Sequence, residues 1–324
     1  MGTNRVLYLS RSDVEAINVP MIEIIRALED MFREKGNGNV EMPPKPGIHT
    51  RKDAFIHAMP AYIPRLEAAG VKWISGYPDN QKKGLPYING LLILNDPETG
   101  IPIAIMDATW ITAKRTGAAT AVAAKYLARK NSTSAGIIAC GVQGRSNLEA
   151  LDAIFDIKKA KAFDIYPEVA EKYKAEMRAL YEVEIEVVAH PREAVTGMDI
   201  VVTSGPILKH PSPAIAAEWF SEGAFACPVD FDSYWQGEAL RLADKLATDD
   251  IAQLEFYRQS GYFQSTPRPY ADLGEIVAGK KPGRQTDHER TICINLGLAL
   301  DDMATAILIY KKARDWGVGM ELPL

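Results

Sequence analysis

Residues 136–145 read Gly136-Ile137-Ile138-Ala139-Cys140-Gly141-Val142-Gln143-Gly144-Arg145. An apolar strand leads directly into a turn with two glycines, and a helix follows. This is the dinucleotide-binding pattern G-x-G-x-x-G with Ala139 in the place of the first glycine. Gly141 lets the backbone approach a pyrophosphate at the helix N-terminus, and Gly144 permits close packing of helix and strand. Ala139 is tolerable in this place if its φ stays negative, because a Cβ atom disfavours the left-handed region.

Asp164 supports the same interpretation, since it lies 20 residues after Gly144, at the end of the next predicted strand. A carboxylate at that position accepts a hydrogen bond from a ribose 2′-OH and repels a 2′-phosphate. The alternative is a structural role, in which Asp164 caps the helix that begins near Pro167. The combined motif predicts a Rossmann domain that binds NAD in preference to NADP.

Strands and helices alternate around this motif, which predicts a parallel, doubly wound sheet. The predicted strands there are residues 136–139, 162–166, 185–189, 200–203, 224–229 and 245–248, and the predicted helices are residues 146–155 and 168–181. The first third of the chain instead predicts an antiparallel sheet with a helix, and a long helix follows it. Its predicted strands are residues 6–9, 54–58, 71–75, 91–94 and 101–106, and its predicted helices are residues 20–35 and 108–128.

The polar segment 129–134 is the best candidate for a linker, and an apolar helix over residues 298–312 ends the chain. Its length and position indicate that it returns to the first domain. The predicted fold class is therefore α/β, with a Rossmann domain of doubly wound parallel sheet, residues 130–298, inserted in an α+β domain. That second domain comprises residues 1–129 plus 299–324.

Composition excludes several classes of partner. The chain has 324 residues, and its 37 Lys and Arg against 42 Asp and Glu give a formal net charge of −5. No segment concentrates basic residues, so we expect neither nucleic acid nor membrane as a partner. The most apolar run contains Asp107, Lys114 and Arg115, which are too costly inside a bilayer. The start lacks a secretory signal, and the scattered cysteines and histidines predict neither disulfides nor a metal site. We therefore expect a cytoplasmic protein.

Further stretches of the chain carry a more specific signal. They are Met42-Pro43-Pro44-Lys45, Gly70-Val71-Lys72-Trp73-Ile74-Ser75-Gly76-Tyr77-Pro78-Asp79-Asn80, Asn95-Asp96-Pro97-Glu98-Thr99-Gly100, Ile111-Thr112-Ala113-Lys114-Arg115-Thr116-Gly117-Ala118, Asp230-Phe231-Asp232 and Asp272-Leu273-Gly274-Glu275-Ile276-Val277-Ala278-Gly279. Together with the glycine turn they resemble the ornithine cyclodeaminase/mu-crystallin family, which includes archaeal alanine dehydrogenase. The resemblance covers nearly the whole chain.

The resemblance implies that the domain around the Rossmann domain binds substrate and forms a homodimer. The family's basic residues for the substrate carboxylate correspond to Lys45, Lys72 and Arg115, and its catalytic aspartate corresponds to Asp232. We assign to the cofactor Thr116, Gly141, Val142, Gln143, Gly144, Asp164, Thr203 and Ser204.

The chemistry of Arg115 and Lys72 agrees with that assignment. Arg115 lies in a small, apolar helical stretch, where a guanidinium needs a partner such as a carboxylate ligand. The alternative is a structural pair with an acid such as Asp107. Lys72 alternates with apolar residues on its strand, so it either faces solvent or lies inside. If it lies inside, Arg115 should lower the pKa of Lys72 and let it exchange protons near neutrality.

Three other residues leave alternatives open. Asp232 follows a strand at the carboxyl edge where doubly wound sheets bind ligands, but Asp230 competes for the same role. Lys45 stands where the family usually has arginine, so it offers a point charge. His57, which we assign to the substrate, stands where ornithine cyclodeaminases have a glutamate. A histidine anchors a cationic amine less well than a carboxylate does. The alternative is that His57 is a strand residue with no task in catalysis.

The leading hypothesis is an NAD-dependent oxidoreductase that acts on the C–N bond of a small amino or imino acid. It would be an amino-acid dehydrogenase or imine reductase in which Lys72 or Asp232 moves a proton. One alternative is a cyclodeaminase that uses NAD catalytically. The other is a mu-crystallin-like protein that binds NAD(P)H without turnover.

Overall fold

The computed structural model describes residues 5–324, the side chain of Gln81 excepted. The strands of this part of the chain are β1 (Arg5–Leu9), β2 (Gly47–Ile48), β3 (Phe55–Ile63), β4 (Ala68–Gly76), β5 (Ile88–Asn95), β6 (Pro102–Asp107), β7 (Ser134–Ile138), β8 (Lys159–Phe163), β9 (Glu184–Val187), β10 (Ile200–Thr203), β11 (Phe225–Pro228), β12 (Lys245–Thr248), β13 (Ala271–Asp272), β14 (Thr291–Ile294) and β15 (Met320–Pro323).

Helices connect these strands. They are α1 (Arg11–Ile17), α2 (Met21–Asn37), α3 (Thr109–Leu127), α4 (Val142–Asp152), α5 (Pro167–Leu180), α6 (Pro191–Val195), α7 (Gly237–Arg241), α8 (Ile251–Gln259), α9 (Leu273–Val277) and α10 (Ala299–Trp316). No helix among the described residues combines the length and apolar character needed to cross a membrane.

The chain divides into two compact units. The first contains the sequence up to Arg115 together with Leu298–Leu324, and the second contains Thr116–Gly297. The first division therefore falls inside α3, before the predicted linker. The reason is that the C-terminal half of α3 packs within the second unit. A Cβ atom on Gly117 would lie 2.2 Å from the Ser146 carbonyl oxygen, and Leu127 O accepts a hydrogen bond of 2.6 Å from Thr291 Oγ1.

The polar segment after α3 is held in place by a carboxylate. Asp199 Oδ2 accepts hydrogen bonds from the backbone N–H groups of Thr133, at 2.9 Å, and Ser134, at 3.0 Å. Arg129 also donates to this carboxylate. The polar residues of this segment thus form hydrogen bonds within the second unit.

The first unit is built on a seven-stranded sheet of order β15-β1-β6-β5-β4-β3-β2. Strands β1 and β6 are parallel, and every other neighbouring pair is antiparallel. Helix α10 packs against β3, β4 and α2, so the face of the sheet below it is buried. This confirms the predicted sheet and the return of the last helix. Strand β15 was not predicted, because it has only four residues and ends in proline, which is too short a run to indicate a strand.

The opposite face of this sheet carries exposed apolar side chains, which no other residue in the range 5–324 covers. Tyr8, Trp73 and Leu91 are all exposed on it, and Trp73 retains 50% of its accessible surface. Trp73 stands directly across from Leu91 on the neighbouring strand. Successive side chains of a strand point to opposite faces of the sheet. Trp73 therefore lies on the exposed face, and its neighbour Lys72 lies on the buried face.

The second unit is the predicted Rossmann domain. Its eight strands are all parallel and follow the order β13-β12-β14-β11-β10-β7-β8-β9. The chain runs from β7 outward through β8 and β9, then returns to β10 on the other side of β7. This reversal places a topological switch point between β7 and β10, where doubly wound sheets bind ligands. The predicted fold class is confirmed.

Candidate active site

The glycine turn lies at this switch point. Strand β7 ends at Ile138, and α4 begins at Val142, four residues before the predicted start at Ser146. Gly141 is the N-cap of α4 and supplies no side-chain hydrogen bond to the first turn. The N-terminus of a helix favours an anion such as a phosphate. A Cβ atom on Gly141 would meet nothing within 4 Å, whereas one on Gly144 would lie 2.6 Å from the Ala139 carbonyl oxygen. These features fit a dinucleotide pyrophosphate.

Ala139 adopts a φ of +70°, so the condition of a negative φ is not met. The surroundings hold this conformation through two hydrogen bonds. Ala139 N donates to Phe163 O at 2.9 Å, and Ser204 Oγ donates to Ala139 O, also at 2.9 Å. The left-handed region costs a residue with a Cβ atom about 1–2 kcal/mol. The turn therefore stores strain at the place where the first glycine of the pattern would relieve it.

Asp164 follows β8 and contacts the glycine turn. Its Oδ2 accepts a hydrogen bond of 2.8 Å from Cys140 N, and its Oδ1 accepts one of 3.0 Å from Tyr166 N, at the N-cap of α5. The alternative that Asp164 caps α5 thus holds in part, because one carboxylate oxygen accepts a hydrogen bond at the start of that helix. Each carboxylate oxygen has further acceptor capacity, so a ribose hydroxyl remains an additional partner.

Thr203 and Ser204 end β10 beside the turn. The Thr203 hydroxyl is fully buried; it donates to Asp230 Oδ1 at 2.7 Å and accepts from Trp235 Nε1 at 3.2 Å. These bonds engage the Thr203 hydroxyl within the second unit. Ser204 N donates to Ile138 O at 3.0 Å, which ties the two strand ends together.

Three other residues assigned to the cofactor lie in helices, two at the start of α4 and one in the middle of α3. Val142 is exposed at the first position of α4, and Gln143 accepts a hydrogen bond from Asn147 through its backbone carbonyl. Thr116 is buried in α3, at the first position of the second unit.

Asp230 and Asp232 follow β11 in distinct surroundings. Asp230 is fully buried and also accepts from Gly205 N at 2.8 Å, so it organises the loop after β10. Burial raises the pKa of Asp230 to about 7. Asp232 accepts from Thr266 Oγ1 at 2.9 Å, and burial raises the pKa of this carboxyl as well, against the opposing effect of that hydrogen bond.

Phe231, between these aspartates, has a φ of +63°, which is unusual for a bulky residue. Its ring packs among the rings of Tyr257, at 5.0 Å, and Phe263, at 4.9 Å. This packing holds the strained backbone and so determines the direction of the loop that carries Asp232. Such strain occurs mainly at functional sites.

The first unit contains a buried cluster of charges. Lys72 is only 1% exposed on the inner face of the sheet, so the solvent-facing alternative is wrong. Its Nζ lies 2.6 Å from Asp302 Oδ2 and 3.4 Å from Thr112 Oγ1. Burial is the largest cause that lowers the pKa of Lys72, to about 7; Asp302 opposes this shift and Arg115 adds to it.

Arg115 is also buried, but Asp107 is not its partner. Asp107 instead caps α3 by accepting from Thr109 N at 2.9 Å and Trp110 N at 3.0 Å. The Arg115 guanidinium lies 3.1 Å from Asp302 Oδ1 and 3.5 Å from Asp301 Oδ2. Helix α10 therefore supplies the acids that balance Lys72 and Arg115.

Lys45 is buried just before β2, and His57 lies on β3, which pairs with β2. A Cβ atom on Gly47, opposite His57, would lie 2.2 Å from the imidazole Cδ2, so glycine there makes room for the ring. The ring also stacks on Phe55 at 4.3 Å. Burial, with the charge of Lys45 next, lowers the pKa of His57 to about 3, so the imidazole is neutral at neutral pH.

Sequence reasoning missed Asp301, Asp302, Thr112 and Thr266. A usable signal existed for the two aspartates, because they are adjacent acids in an otherwise apolar helix. The same argument, that a charged residue in an apolar helix needs a partner, identified Arg115 as a candidate. No comparable signal marks the two threonines. Among the described residues, no group of three or more His, Cys, Asp or Glu side chains is placed to hold a metal ion.

Comparison with known proteins assigns the family. The ornithine cyclodeaminase/mu-crystallin family model matches residues 5–317. The chain belongs to this family. It is 38% identical to the alanine dehydrogenase of Archaeoglobus fulgidus over 327 residues, 98% of each chain. The family resemblance inferred from the sequence is confirmed.

Two solved structures of the family are similar over almost their whole length. One is the Δ1-pyrroline-2-carboxylate reductase of Thermococcus litoralis in complex with NADH and L-proline, with 39% identity, a TM-score of 0.89 and coverage of 98% of this chain and 100% of that one. The other is an archaeal alanine dehydrogenase dimer with bound NAD, with 35% identity, a TM-score of 0.88 and coverage of 99% and 100%.

Proposed function

We propose that this protein is an NAD-dependent oxidoreductase that acts on the C–N bond of a small amino or imino acid. The observation that carries the proposal is the buried pair of Lys72 and Arg115. Lys72 lies on the inner face of the sheet and Arg115 lies in α3, and both are charge-compensated. Such cations serve a carboxylate ligand and proton transfer better than they serve stability, because buried ion pairs stabilise folds weakly. The similar reductase with NADH and L-proline supports the same class of substrate.

In this proposal Arg115, Lys72 and Lys45 hold the substrate carboxylate. Arg115 provides a planar fork, and the two lysines provide point charges. The nicotinamide cofactor, when bound, supplies hydride transfer. Lys72 exchanges protons readily because its pKa is lowered to about 7. Asp232, whose pKa is raised by burial, is the second candidate for moving the proton on nitrogen.

The cofactor roles follow from the second unit. The N-terminus of α4 with Gly141 and Gly144 would hold the pyrophosphate, and Asp164 would accept from the ribose 2′-OH and favour NAD over NADP. Val142, Gln143 and Thr116 keep their proposed places near the cofactor. Ser204 would act by holding the turn, since its hydroxyl is bonded to Ala139 O.

We also propose that the protein is a homodimer whose copies meet at the exposed apolar face of the first sheet. Tyr8, Trp73 and Leu91 form part of this face. Large exposed apolar patches mark interaction sites in soluble proteins. The archaeal alanine dehydrogenase is a dimer, which supports this arrangement.

The test is a substrate panel with the full chain. NADH consumption is followed with Δ1-pyrroline-2-carboxylate and with pyruvate plus ammonia or methylamine, and NAD reduction with L-proline and L-alanine. We expect stoichiometric NADH consumption with at least one imino acid, or with an oxo acid plus amine.

Asp232→Asn should reduce kcat while NADH binding persists, and Asp230→Asn should mainly reduce stability.

Ornithine distinguishes the cyclodeaminase alternative. His57 is neutral and gives no charged anchor for a second amine, so we expect little or no proline from ornithine. Efficient formation of proline and ammonia without net NADH change would establish the cyclodeaminase instead. Tight NADH binding with no turnover of any amino or imino acid would favour the binding-protein alternative.

A further inference from the structure

Two consecutive aspartates of α10 face the same cluster but have different surroundings. Asp301 Oδ2 accepts a hydrogen bond of 2.9 Å from Leu298 N, so Asp301 caps its own helix. Its distance to Arg115 Nη1 is 3.5 Å. Asp302 is equally buried and lies 2.6 Å from Lys72 Nζ and 3.1 Å from Arg115 Nε. Asp302 therefore bridges the two cations with its separate oxygens.

The surroundings of Lys72 determine how much its charged form depends on Asp302. The charged and titratable groups around it are Asp302 and Asp301 from α10, Arg115 from α3, Lys45 from the segment before β2, and His57 from β3. Burial and the charges of Arg115 and Lys45 all disfavour the ammonium form of Lys72. The carboxylate of Asp302 opposes them, and the geometry of a 2.6 Å contact explains why.

We propose that Asp302 is a positioning residue for the reaction: it holds the Lys72 and Arg115 cations side by side and favours the charged form of Lys72. This inference rests on the proposed function, in which both cations receive the substrate carboxylate. A neutral Lys72 would neither attract the carboxylate by its charge nor have a proton to give. The residue acts through Lys72 and Arg115 and need not touch the substrate.

The first test measures Lys72 directly in Asp302→Asn, which keeps the side-chain size and removes the charge. The full chain is labelled with ¹³Cε-lysine, and its NMR signals are followed against pH; Lys72→Met identifies the signal. We expect the Lys72 midpoint to fall by at least one pH unit in Asp302→Asn, because burial, Arg115 and Lys45 then disfavour the ammonium without the carboxylate that lies nearest to it. An unchanged or higher midpoint would overturn the inference. This measurement needs no enzymatic turnover, so it stands even if the proposed function fails.

The second test uses kinetics with whichever imino acid the wild-type protein reduces. Asp302→Asn should raise KM at least tenfold at pH 7.5, and lowering the pH by one unit should recover part of that loss as Lys72 regains its proton. The dissociation constant of NADH should stay unchanged. A purely structural role would not give a KM that acid restores, so a pH-independent loss would also contradict the inference.

Asp301→Asn is the matched control, since it changes the neighbouring, equally buried carboxylate. We expect lower thermal stability from the lost cap but less than half of the Lys72 shift seen in Asp302→Asn. Equal shifts would show a general effect of buried charge and would overturn the specific role of Asp302. If Asp302→Asn does not fold, Asp302→Glu replaces it. That variant keeps the charge but moves it, so its KM should rise without recovery at lower pH; recovery by acid would contradict the inference.

Discussion

His57 shows how burial next to cations changes a single side chain. Its pKa falls from 6.5 to about 3 in the folded protein, chiefly because the ring is desolvated and secondly because Lys45 is near. Between these values the unfolded chain binds the proton and the folded chain does not. The contribution of His57 to stability therefore rises as the pH increases from about 3 to 6.5, and it is constant above that window.

This sign gives a prediction for His57→Gln, which is neutral at every pH. The free energy of unfolding of the wild-type protein, relative to that of the variant, should increase between pH 4.5 and 6.5 and level off above. Urea unfolding at several pH values measures the difference. A difference that is flat across the window would mean that the imidazole is hydrated in the folded protein.

Asp164 gives a second prediction at the residue scale. Asp164→Ser removes the proposed ribose acceptor and the charge that repels a 2′-phosphate. The ratio of kcat/KM for NADH to that for NADPH should fall at least tenfold. Glu168→Ser is the control, because Glu168 is an acidic residue in the first turn of the same neighbouring helix, α5. No shift toward NADPH in Asp164→Ser would place Asp164 away from the ribose and leave it only its backbone contacts.

At the scale of elements, the motif that directs the N-terminus of α4 is the strand–turn–helix formed by β7, the glycine turn and α4. Its two close approaches, of Gly144 to Ala139 and of Gly117 to Ser146, place α4 against the turn and against α3. Neither approach leaves room for a Cβ atom. The N-terminus of α4 thus keeps a fixed direction toward the switch point of the sheet.

Ala139→Gly tests the strain in this element. Glycine adopts the left-handed φ without penalty, and the relief of about 1–2 kcal/mol is partly offset by the greater freedom of glycine in the unfolded chain, about 0.4–1 kcal/mol. We expect the free energy of unfolding to rise by up to about 1 kcal/mol, as measured by urea unfolding. Ala153→Gly is the control: with a φ of −67° it should lower stability by about 0.5–1 kcal/mol. Loss of stability in Ala139→Gly would show that the alanine methyl group packs favourably enough to outweigh the strain.

At the scale of the whole molecule, the exposed face of the first sheet has the composition of an interface. Aromatic residues at the centre of an interface commonly carry much of its binding energy. Trp73 and Leu91 stand opposite each other on adjacent strands and both are exposed, so they are the natural centre of the proposed dimer contact.

Trp73→Lys should therefore convert the dimer to a monomer, because it places a charge in the centre of an apolar contact. Sedimentation equilibrium over a range of protein concentrations measures the change. Trp316→Lys changes an aromatic residue that is similarly exposed but lies at the end of α10, and it should leave the dimer intact. A Trp73→Lys protein that stays dimeric at the lowest concentration would place the interface elsewhere.

The sequence alone determined the features that depend on local order. The alternation of strands and helices, the turn at Gly141 and Gly144, and the apolar last helix all follow from patterns within a few dozen residues. Only the tertiary structure decided the features that depend on distant segments. Alternation on β4 puts Lys72 and Trp73 on opposite faces but does not say which face is covered; α10 decides this by packing over Lys72 and bringing Asp302. The φ of Ala139 was decided in the same way, because Phe163 and Ser204 hold its backbone from neighbouring strands. Such contacts join residues far apart in the chain, so no local pattern encodes them.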